Sequence, residues 1–228
     1  MFVCRIVSES IVGNGTKRET DGLDNIQTCL YYFHMGNTKA SSSEARQRLL
    51  ETADRLFYRE GIRSVGIDKI IAEAGVAKMT LYSHFSSKDE LILAVLKHRE
   101  QFVVDFFQAA IERHVKEDQD QLEAFFAALK DWMQQPEFRG CAFINATIEL
   151  ADFKHPGSEY ARSQKERFDE MLRGLIAESL GKNATGLLPA ISLLVEGAIV
   201  TAQIQGHPGA ADTARETANK LIAARKGS

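Results

Sequence analysis

Apolar residues recur every three to four positions along almost the whole chain from residue 41 onward, which is the repeat of an amphipathic α-helix. No stretch of useful length alternates apolar and polar residues as a β-strand would. The first helix is predicted from Ser41 to Gly61, and further helices are predicted over 67–75, 76–85, 87–115, 121–134, 142–151, 156–180, 189–206 and 210–224. The fold class is therefore predicted to be all-α, with about nine helices.

Two of these helices begin at a serine that is followed three residues later by a glutamate, which is the spacing of a capping box. Ser41 with Glu44 would open the first helix, and Ser87 with Glu90 would open the long helix that ends near Val115. In such a box the serine oxygen accepts a hydrogen bond from the backbone N–H three residues further on. Each of these helix starts is therefore predicted from local chemistry alone.

The composition excludes several classes of protein. With 44% hydrophobic and 26% charged residues and a net charge of −3, the 228-residue chain is typical of a soluble globular protein. It has no unbroken run of about 18 apolar residues, so no membrane span is predicted. Its three cysteines (Cys4, Cys29 and Cys141) form no CxxC pair, which argues against a disulfide framework or zinc cluster and favours the cytoplasm. No cofactor is predicted.

Residues 1–40 carry no helical period and mix Gly, Asn, Thr and Ser with isolated apolar residues. We expect this stretch to be disordered, because unpatterned segments bury too little apolar area to offset the entropy of ordering them. Two origins are open. Either Met35 is the native start and residues 1–34 are spurious upstream translation, or the stretch is a genuine but floppy arm.

The segment 66–85 has the pattern of a helix-turn-helix unit, in which two short helices are joined by a turn containing Gly75. Its apolar residues would pack the two helices into one rigid body. The second helix would then present four side chains suited to phosphates and base edges, namely Lys78, Thr80, Tyr82 and His84. An ordinary helical hairpin inside a bundle is the alternative interpretation of the same pattern.

The stretch from Ala45 to about Arg99 resembles the DNA-binding domain of TetR-family transcriptional regulators. The resemblance is carried by the motifs Ala-Gly-Val at 74–76, Thr-Leu-Tyr at 80–82, His-Phe at 84–85 and Ser-Lys-Asp-Glu-Leu at 87–91. Residues 139–146 also resemble a motif of one subset of that family. The resemblance implies a three-helix DNA-binding domain over 41–87 and a larger helical ligand-binding and dimerisation domain over 88–228.

The same resemblance implies roles for six residues. Lys78, Met79 and Thr80 stand where the family reads bases, and Tyr82, His84 and Lys88 stand where it contacts phosphates. Two positions depart from the family pattern. Gly66 replaces a threonine or serine whose hydroxyl bonds a phosphate, which puts that contact in doubt, and Met79 replaces a glycine or alanine.

The C-terminal half carries enough aromatic and flexible apolar side chains to line an effector pocket. To these we add Asn145 and Glu149, which lie one turn apart on an otherwise apolar helix and so share a face. The candidate ligand-binding residues are Phe102, Phe106, Phe126, Trp132, Met133, Phe143, Asn145, Glu149, Phe168 and Met171. The alternative for the apolar members is a role in the core only, and the alternative for Asn145 and Glu149 is that they satisfy helix ends.

The helix predicted over 189–205 carries only Glu196 as a charge, and a monomer would not normally expose such a surface. The last helix offers a stripe of mostly small residues, Ala211, Ala214, Ala218, Leu221 and Ile222. We therefore predict a homodimer formed through the last two helices, with burial inside one subunit as the alternative. A two-fold dimer also suits a palindromic operator on double-stranded DNA.

These observations predict a ligand-responsive dimeric transcriptional regulator, most often a repressor in the resembled family, that a small and largely apolar molecule releases from its operator. An enzyme using Cys141 with His155 is the second hypothesis, but no spacing places a base and no cofactor loop is present. A helical scaffold or carrier is the third. Cys141 is either a redox sensor or buried packing. The histidines have no metal-ligand spacing, so no metal site is predicted.

Overall fold

The computed structural model describes residues 40–116 and 120–226, and these residues form nine α-helices, one 3₁₀ helix and no strand. The all-α prediction is confirmed for this part of the chain. The helices are α1 (Ala40–Glu60), α2 (Ile67–Ala74), α3 (Lys78–His84), α4 (Lys88–Val115), α5 (Gln121–Met133), α6 (Ala142–Leu150), α7 (Pro156–Leu180), α8 (Leu188–Gln205) and α9 (Gly209–Lys226), with the 3₁₀ helix at Lys182–Leu187. The predictions for residues 1–39, including a native start at Met35, lie outside the described residues.

Helices α1 to α3 and the start of α4 form one small body. Gly75 ends α2 in the left-handed region at φ 65°, which a glycine adopts without strain, and this turn aims α3 across α2. The shared core of this body contains fully buried side chains from all four helices, among them Leu49, Ala53, Ile70, Leu81, Phe85 and Leu91. Because α3 has only seven residues, these contacts rather than helix propensity hold it in place.

The two predicted capping boxes have different outcomes. Ser41 lies inside α1, which is already helical at Ala40, so Ser41 is not its N-cap; the Ser41 side chain is outside the described residues. Ser87 caps α4, since its Oγ accepts a hydrogen bond from the Glu90 N–H at 3.1 Å. The Glu90 carboxylate, however, accepts from the N–H and hydroxyl of Ser86 rather than from Ser87, and these hydrogen bonds lower the pKa of Glu90.

The second body is built on α4, whose 28 residues run from the helix-turn-helix into the C-terminal half. Its core is aromatic. The Phe107 ring stacks on Phe125 at 5.7 Å between centroids and meets Trp132 edge-on at 5.8 Å. Helix α5 supplies most of these rings. Helices α4, α7 and α9 pack against it, and α8 packs against α7 and α9.

Helix α8 is long and apolar enough, by length and composition, to cross a membrane, although 33% of it is buried inside the subunit. Its inner face, which includes Ala198 and Ile199, packs within the subunit at 4% exposure each. Four members of the small-residue stripe of α9 (Ala211, Ala214, Ala218 and Ile222) are also buried there, and only Leu221 of the stripe is exposed, at 37%. What remains exposed is a different apolar row on α8, described below.

The start of α5 depends on Asp120, which the sequence pattern did not single out. Its Oδ1 accepts hydrogen bonds from the N–H groups of Leu122 and Glu123, both at 2.9 Å. We expect Asp120→Ala to lower the free energy of unfolding by about 1 kcal/mol, because the Glu123 N–H loses its acceptor and the Leu122 N–H keeps only the Ser179 hydroxyl, at 3.1 Å. Urea denaturation measures this, and Asp120→Asn, which keeps an acceptor oxygen, should lose less than Asp120→Ala.

Candidate functional site

Helix α3 presents an exposed surface on a buried foundation. Leu81 is fully buried, whereas Met79 is 78% exposed and Tyr82 is 42% exposed. Lys78 is also exposed, and its Nζ lies 3.2 Å from the Asp68 carboxylate. An exposed ion pair of this kind is weak, so the Lys78 ammonium can exchange this carboxylate for another anion at small cost.

Thr80 and His84 are half-buried on the same helix, and with Lys78, Met79 and Tyr82 they make up the predicted DNA-contacting set of α3. The Thr80 carbonyl accepts a hydrogen bond from the Ser83 hydroxyl at 2.8 Å. The outer surface of α3 therefore combines one cation, three hydroxyl groups, one imidazole and one flexible thioether. These groups suit both phosphate oxygens and base edges.

Lys88 differs from the other predicted phosphate contacts because its ammonium is engaged inside the protein. Its Nζ donates a hydrogen bond to the Ile62 carbonyl at 2.7 Å and lies 5.7 Å from the centroid of the Phe57 ring. Burial lowers the pKa of Lys88. A phosphate at this position would have to draw the ammonium away from Ile62 or share it.

Gly66 stands at the N-cap of α2 and provides no side-chain hydrogen bond there. A Cβ added at this position would meet nothing within 4 Å. The glycine is therefore not required by sterics, and a serine or threonine would fit. Gly66 therefore provides no hydroxyl for a phosphate, and no packing contact explains the glycine.

Two neighbouring cavities lie where the two bodies meet. The junction cavity, of about 30 Å³, lies between α1, α4 and α6 and is lined by residues that include Asp54, Phe57, Ile92, Leu96, Asn145 and Glu149. The aromatic cavity, of about 40 Å³, lies deeper in the C-terminal half and is lined by residues that include Phe107, Trp132, Phe143, Gln164 and Phe168. Tyr58, Arg99 and Ala142 line both cavities and separate them.

The structure divides the ten candidate ligand-binding residues into three groups. Trp132, Phe143 and Phe168 line the aromatic cavity, and Asn145 and Glu149 line the junction cavity. The other five line neither cavity: Phe102 is 53% exposed, Phe126 and Met133 are buried in the core, and Phe106 and Met171 are half-buried against it. An aromatic pattern identifies apolar helix faces, but it does not say which face borders empty space.

The cavity wall contains a buried charged pair that sequence reasoning missed. Arg99 donates hydrogen bonds from Nε and Nη2 to the two carboxylate oxygens of Asp54, at 2.8 and 2.6 Å. Both side chains are largely buried, at 13% and 18% exposure. Burial raises the pKa of Asp54 despite the neighbouring guanidinium of Arg99. The two residues are 45 positions apart, so no local spacing signals their contact.

Tyr58 extends this pair toward the loop between α5 and α6. Its ring lies 4.1 Å from the guanidinium carbon of Arg99, and burial raises its pKa. Its hydroxyl donates to the Gly140 carbonyl at 2.8 Å and accepts from the Arg139 N–H at 2.9 Å. Gly140 has φ 81°, a conformation that glycine adopts without strain and other residues rarely adopt, and an added Cβ would also displace the end of the Gln203 side chain.

Asn145 and Glu149 both have protein partners. The Glu149 carboxylate accepts a hydrogen bond from the Arg63 N–H at 3.0 Å, in the turn that follows α1. The Asn145 amide donates to the Arg139 carbonyl at 2.9 Å. Glu149 therefore joins the C-terminal half to the helix-turn-helix body, and Asn145 joins α6 to the α5–α6 loop.

Cys141 and His155 have structural surroundings. Cys141 is buried at 7% exposure and lines the aromatic cavity. His155 caps α7, where its Nδ1 accepts a hydrogen bond from the Gly157 N–H at 3.0 Å. Within the described ranges, no group of three or more His, Cys, Asp or Glu side chains could hold a metal ion.

Comparison with known proteins identifies the family. The sequence model described as "Bacterial regulatory proteins, tetR family" matches residues 49–95, and the one described as "Tetracyclin repressor-like, C-terminal domain" matches residues 119–218. The crystal structure of SCO4454, a TetR-family transcriptional regulator from Streptomyces coelicolor, is 34% identical with a TM-score of 0.69, over 79% of this chain and 95% of that one. This chain belongs to the TetR family.

Two curated relatives of this TetR-family protein are named for opposite effects on transcription. The transcriptional repressor SCO4008 from Streptomyces coelicolor is 27% identical over 191 residues, which cover 78% of this chain and 94% of the repressor. The transcriptional activator FasR from Mycolicibacterium smegmatis is 37% identical over 91 residues, but these span only 41% of the activator and 40% of this chain. The family and these relatives are transcriptional regulators, and the protein is not an enzyme.

The Asp54–Arg99 pair generates a pH-dependent prediction. Removal of the guanidinium in Arg99→Met leaves a buried carboxylate unpaired, which should destabilise the fold by about 3 kcal/mol at neutral pH. Because the pKa of Asp54 is raised in the folded state, the fold binds its proton more tightly than the unfolded chain does. Stability from this group is therefore present at low pH and declines as pH rises through the raised pKa.

Arg99→Met removes the interactions that lower the pKa of Asp54, so it widens the pH range over which this stability is lost. The loss of stability relative to the unmodified protein should consequently be largest at neutral pH and should shrink toward pH 4, near the ordinary Asp value of 3.8. Urea unfolding at several pH values measures this difference. The double variant Arg99→Met/Asp54→Asn is the control, and an equal pH dependence in both variants would refute the assignment to Asp54.

Proposed function

We propose that this protein is a cytoplasmic homodimeric transcriptional repressor that binds a palindromic operator through α3 and is released by a small, largely apolar effector. The observation that carries the proposal is the exposed polar surface of α3 on a rigid three-helix body. Lys78, Met79 and Thr80 read base edges, and Tyr82, His84 and Lys88 contact phosphates. The family match over 49–95 includes all six residues, which supports these roles.

An exposed apolar row on α8 supports the dimer. Leu193 is 72% exposed, Ile204 is 79% exposed and Val200 is 37% exposed, and they follow one another along one face of the helix. Gly197 lies within this row, and a Cβ there would meet nothing within its own subunit. A partner helix could therefore approach closely at Gly197, with Leu221 of α9, 37% exposed, at the side. We call Leu193, Gly197, Val200 and Ile204 the α8 row.

The size of the aromatic cavity implies how an effector would act. At about 40 Å³ it is far smaller than the roughly 300–1,000 Å³ pockets of drug-sized ligands. An effector must therefore widen it, and it will bind a wider conformation more tightly than this one. Because Tyr58 of α1 forms part of the wall, widening shifts the helix-turn-helix body, and this difference in affinity between two states releases the operator.

Repression rather than activation is proposed because the match to a repressor extends over more of that relative than the match to an activator does. The match to the repressor SCO4008 extends over 94% of that protein, including its C-terminal half. The match to the activator FasR covers 41% of that protein.

A gel-shift assay with the promoter region of this protein's own gene, followed by a reporter fusion, tests DNA binding and the direction of regulation. Failure to bind DNA without any effector present would contradict the proposal.

Variants of α3 and α4 separate affinity from specificity. Lys88→Ala and Tyr82→Phe should weaken binding by a similar factor on all operator sequences, because phosphates carry no base identity. Thr80→Ala should instead relax the preference at one or two positions, by about 1–3 kcal/mol against the preferred base. Binding to a set of single-base operator variants measures both effects.

The control for this series is Lys69→Ala, since Lys69 lies on α2 and its ammonium is paired with Glu60. Its operator affinity should be nearly unchanged. Since Lys88 is bonded to the Ile62 carbonyl, each variant also needs a melting curve to show that it is folded. An altered base preference in Lys88→Ala, with overall affinity intact, would overturn its assignment as a phosphate contact.

The dimer proposal predicts that Leu193→Glu and Ile204→Glu produce folded monomers, because a charge in the α8 row would be buried without a partner. Ile148→Glu is the matched control, since Ile148 is 70% exposed on α6, outside the row. Sedimentation velocity distinguishes monomer from dimer. Dimers in both row variants would place the interface elsewhere. Ala198 and Ile199 are unsuitable for this test because both are buried within the subunit.

A further inference from the structure

The aromatic cavity contains one buried polar atom that has no hydrogen-bond partner. This atom is Oε1 of Gln164, whose side chain lines the cavity and is only 7% exposed. An unpaired buried acceptor destabilises a fold, and a leucine of similar volume would close the same wall without it. The unpaired oxygen of Gln164 therefore lowers the stability of the fold, and it lies in the place where an effector would bind.

The two cationic side chains of the wall and the Tyr58 hydroxyl are already paired. Arg99 forms two hydrogen bonds with Asp54, and the Lys165 ammonium lies 2.8 Å from the Glu196 carboxylate. The Tyr58 hydroxyl both donates and accepts within the protein. An anionic ligand would have to break one of these pairs, and a cationic ligand would face the two cations, so the wall favours a neutral ligand.

The remaining wall is aromatic and indicates a flat ligand. Phe168 lies four residues after Gln164 on α7, so the two side chains share one helix face. Phe107, Trp132 and Phe143 also contribute to the cavity lining. A ring that packs against these aromatic groups would place a polar substituent within reach of the Gln164 amide.

We propose that the effector is a neutral aromatic molecule that donates one hydrogen bond, from a hydroxyl or N–H group, to Oε1 of Gln164. Its role as effector rests on the function proposed above, but its binding does not. The geometry assigns Gln164 to ligand selection: it accepts the ligand's proton-bearing group and so pairs the buried oxygen. A ligand of the same shape without a donor would displace water and leave the acceptor unpaired.

Phenol and toluene are suitable probes because they have nearly the same shape and differ in one donor group. Their affinities for the full-length protein and for Gln164→Leu are measured by isothermal titration calorimetry and by the emission of Trp132, the only tryptophan of the chain. The phenol-to-toluene affinity ratio should be about tenfold higher in the unmodified protein than in Gln164→Leu. Gln164→Leu without ligand should also melt at a higher temperature.

Two further probes and one control variant sharpen the test. Acetophenone, which only accepts hydrogen bonds, and benzoate, which is anionic, should both bind more weakly than phenol. Gln134→Leu makes the same substitution at an exposed position and should leave the affinity ratio unchanged. The inference is overturned if Gln164→Leu leaves the ratio unchanged, if acetophenone or benzoate binds more tightly than phenol, or if no probe binds at millimolar concentration.

The outcomes for this inference and for the proposed function are separable. Preferential phenol binding that depends on Gln164, without any effect of phenol on operator binding in a gel shift, would support the ligand chemistry and contradict release by ligands of this site. Operator binding by a protein that takes up none of the probes would support the DNA-binding role and contradict the ligand inference. Each result therefore counts against one proposal at a time.

Discussion

The contact between Asp54 and Arg99 joins the two bodies of this protein. Asp54 belongs to α1, which packs in the core of the helix-turn-helix body, and Arg99 belongs to α4, which continues into the C-terminal half. A buried ion pair is not a large source of net stability, because the desolvation of both charges offsets their attraction. Its geometry is demanding, however, so it fixes the relative position of the two helices. Tyr58, which stacks on Arg99, extends this constraint to the loop at Arg139 and Gly140.

Under the function proposed above, coupling between an effector and DNA requires no long chain of contacts. Helix α1 supplies core residues beneath α3, and its Tyr58 forms part of the wall of the aromatic cavity. Glu149 makes a second link, since it accepts a hydrogen bond from the backbone of Arg63 just after α1. A change in the width of the aromatic cavity would therefore act directly on α1 of the helix-turn-helix body. Allosteric coupling of about 1–3 kcal/mol, the usual range, requires only that one of these links differ between two states.

The sequence was sufficient for the helices and for the helix-turn-helix unit, but not for the cavity wall. The end of α2 at Gly75 and the start of α4 at Ser87 are encoded locally, by a left-handed glycine and by a capping serine. Both could therefore be predicted from a few neighbouring residues. The cavity depends on contacts between distant segments. Tyr58 and Gln164 are more than one hundred positions apart, and neither belongs to a recognisable motif. Phe102, selected for its aromatic ring, is exposed because an apolar spacing does not fix how far a helix face reaches into the core.

Helix α8 shows the same limit in another form. Both of its faces are apolar, so its composition alone is compatible with a core helix, a membrane span or an interface. The structure separates the faces: Ala198 and Ile199 point into the subunit, and Leu193 and Ile204 point away from it. Residues of similar hydrophobicity therefore differ in role: the inner ones contribute to folding, and the outer ones are available for the association proposed above. Because α9 covers the inner face with its alanine stripe, the outer row keeps its apolar side chains exposed to water, and a partner at this face would remove that area from water.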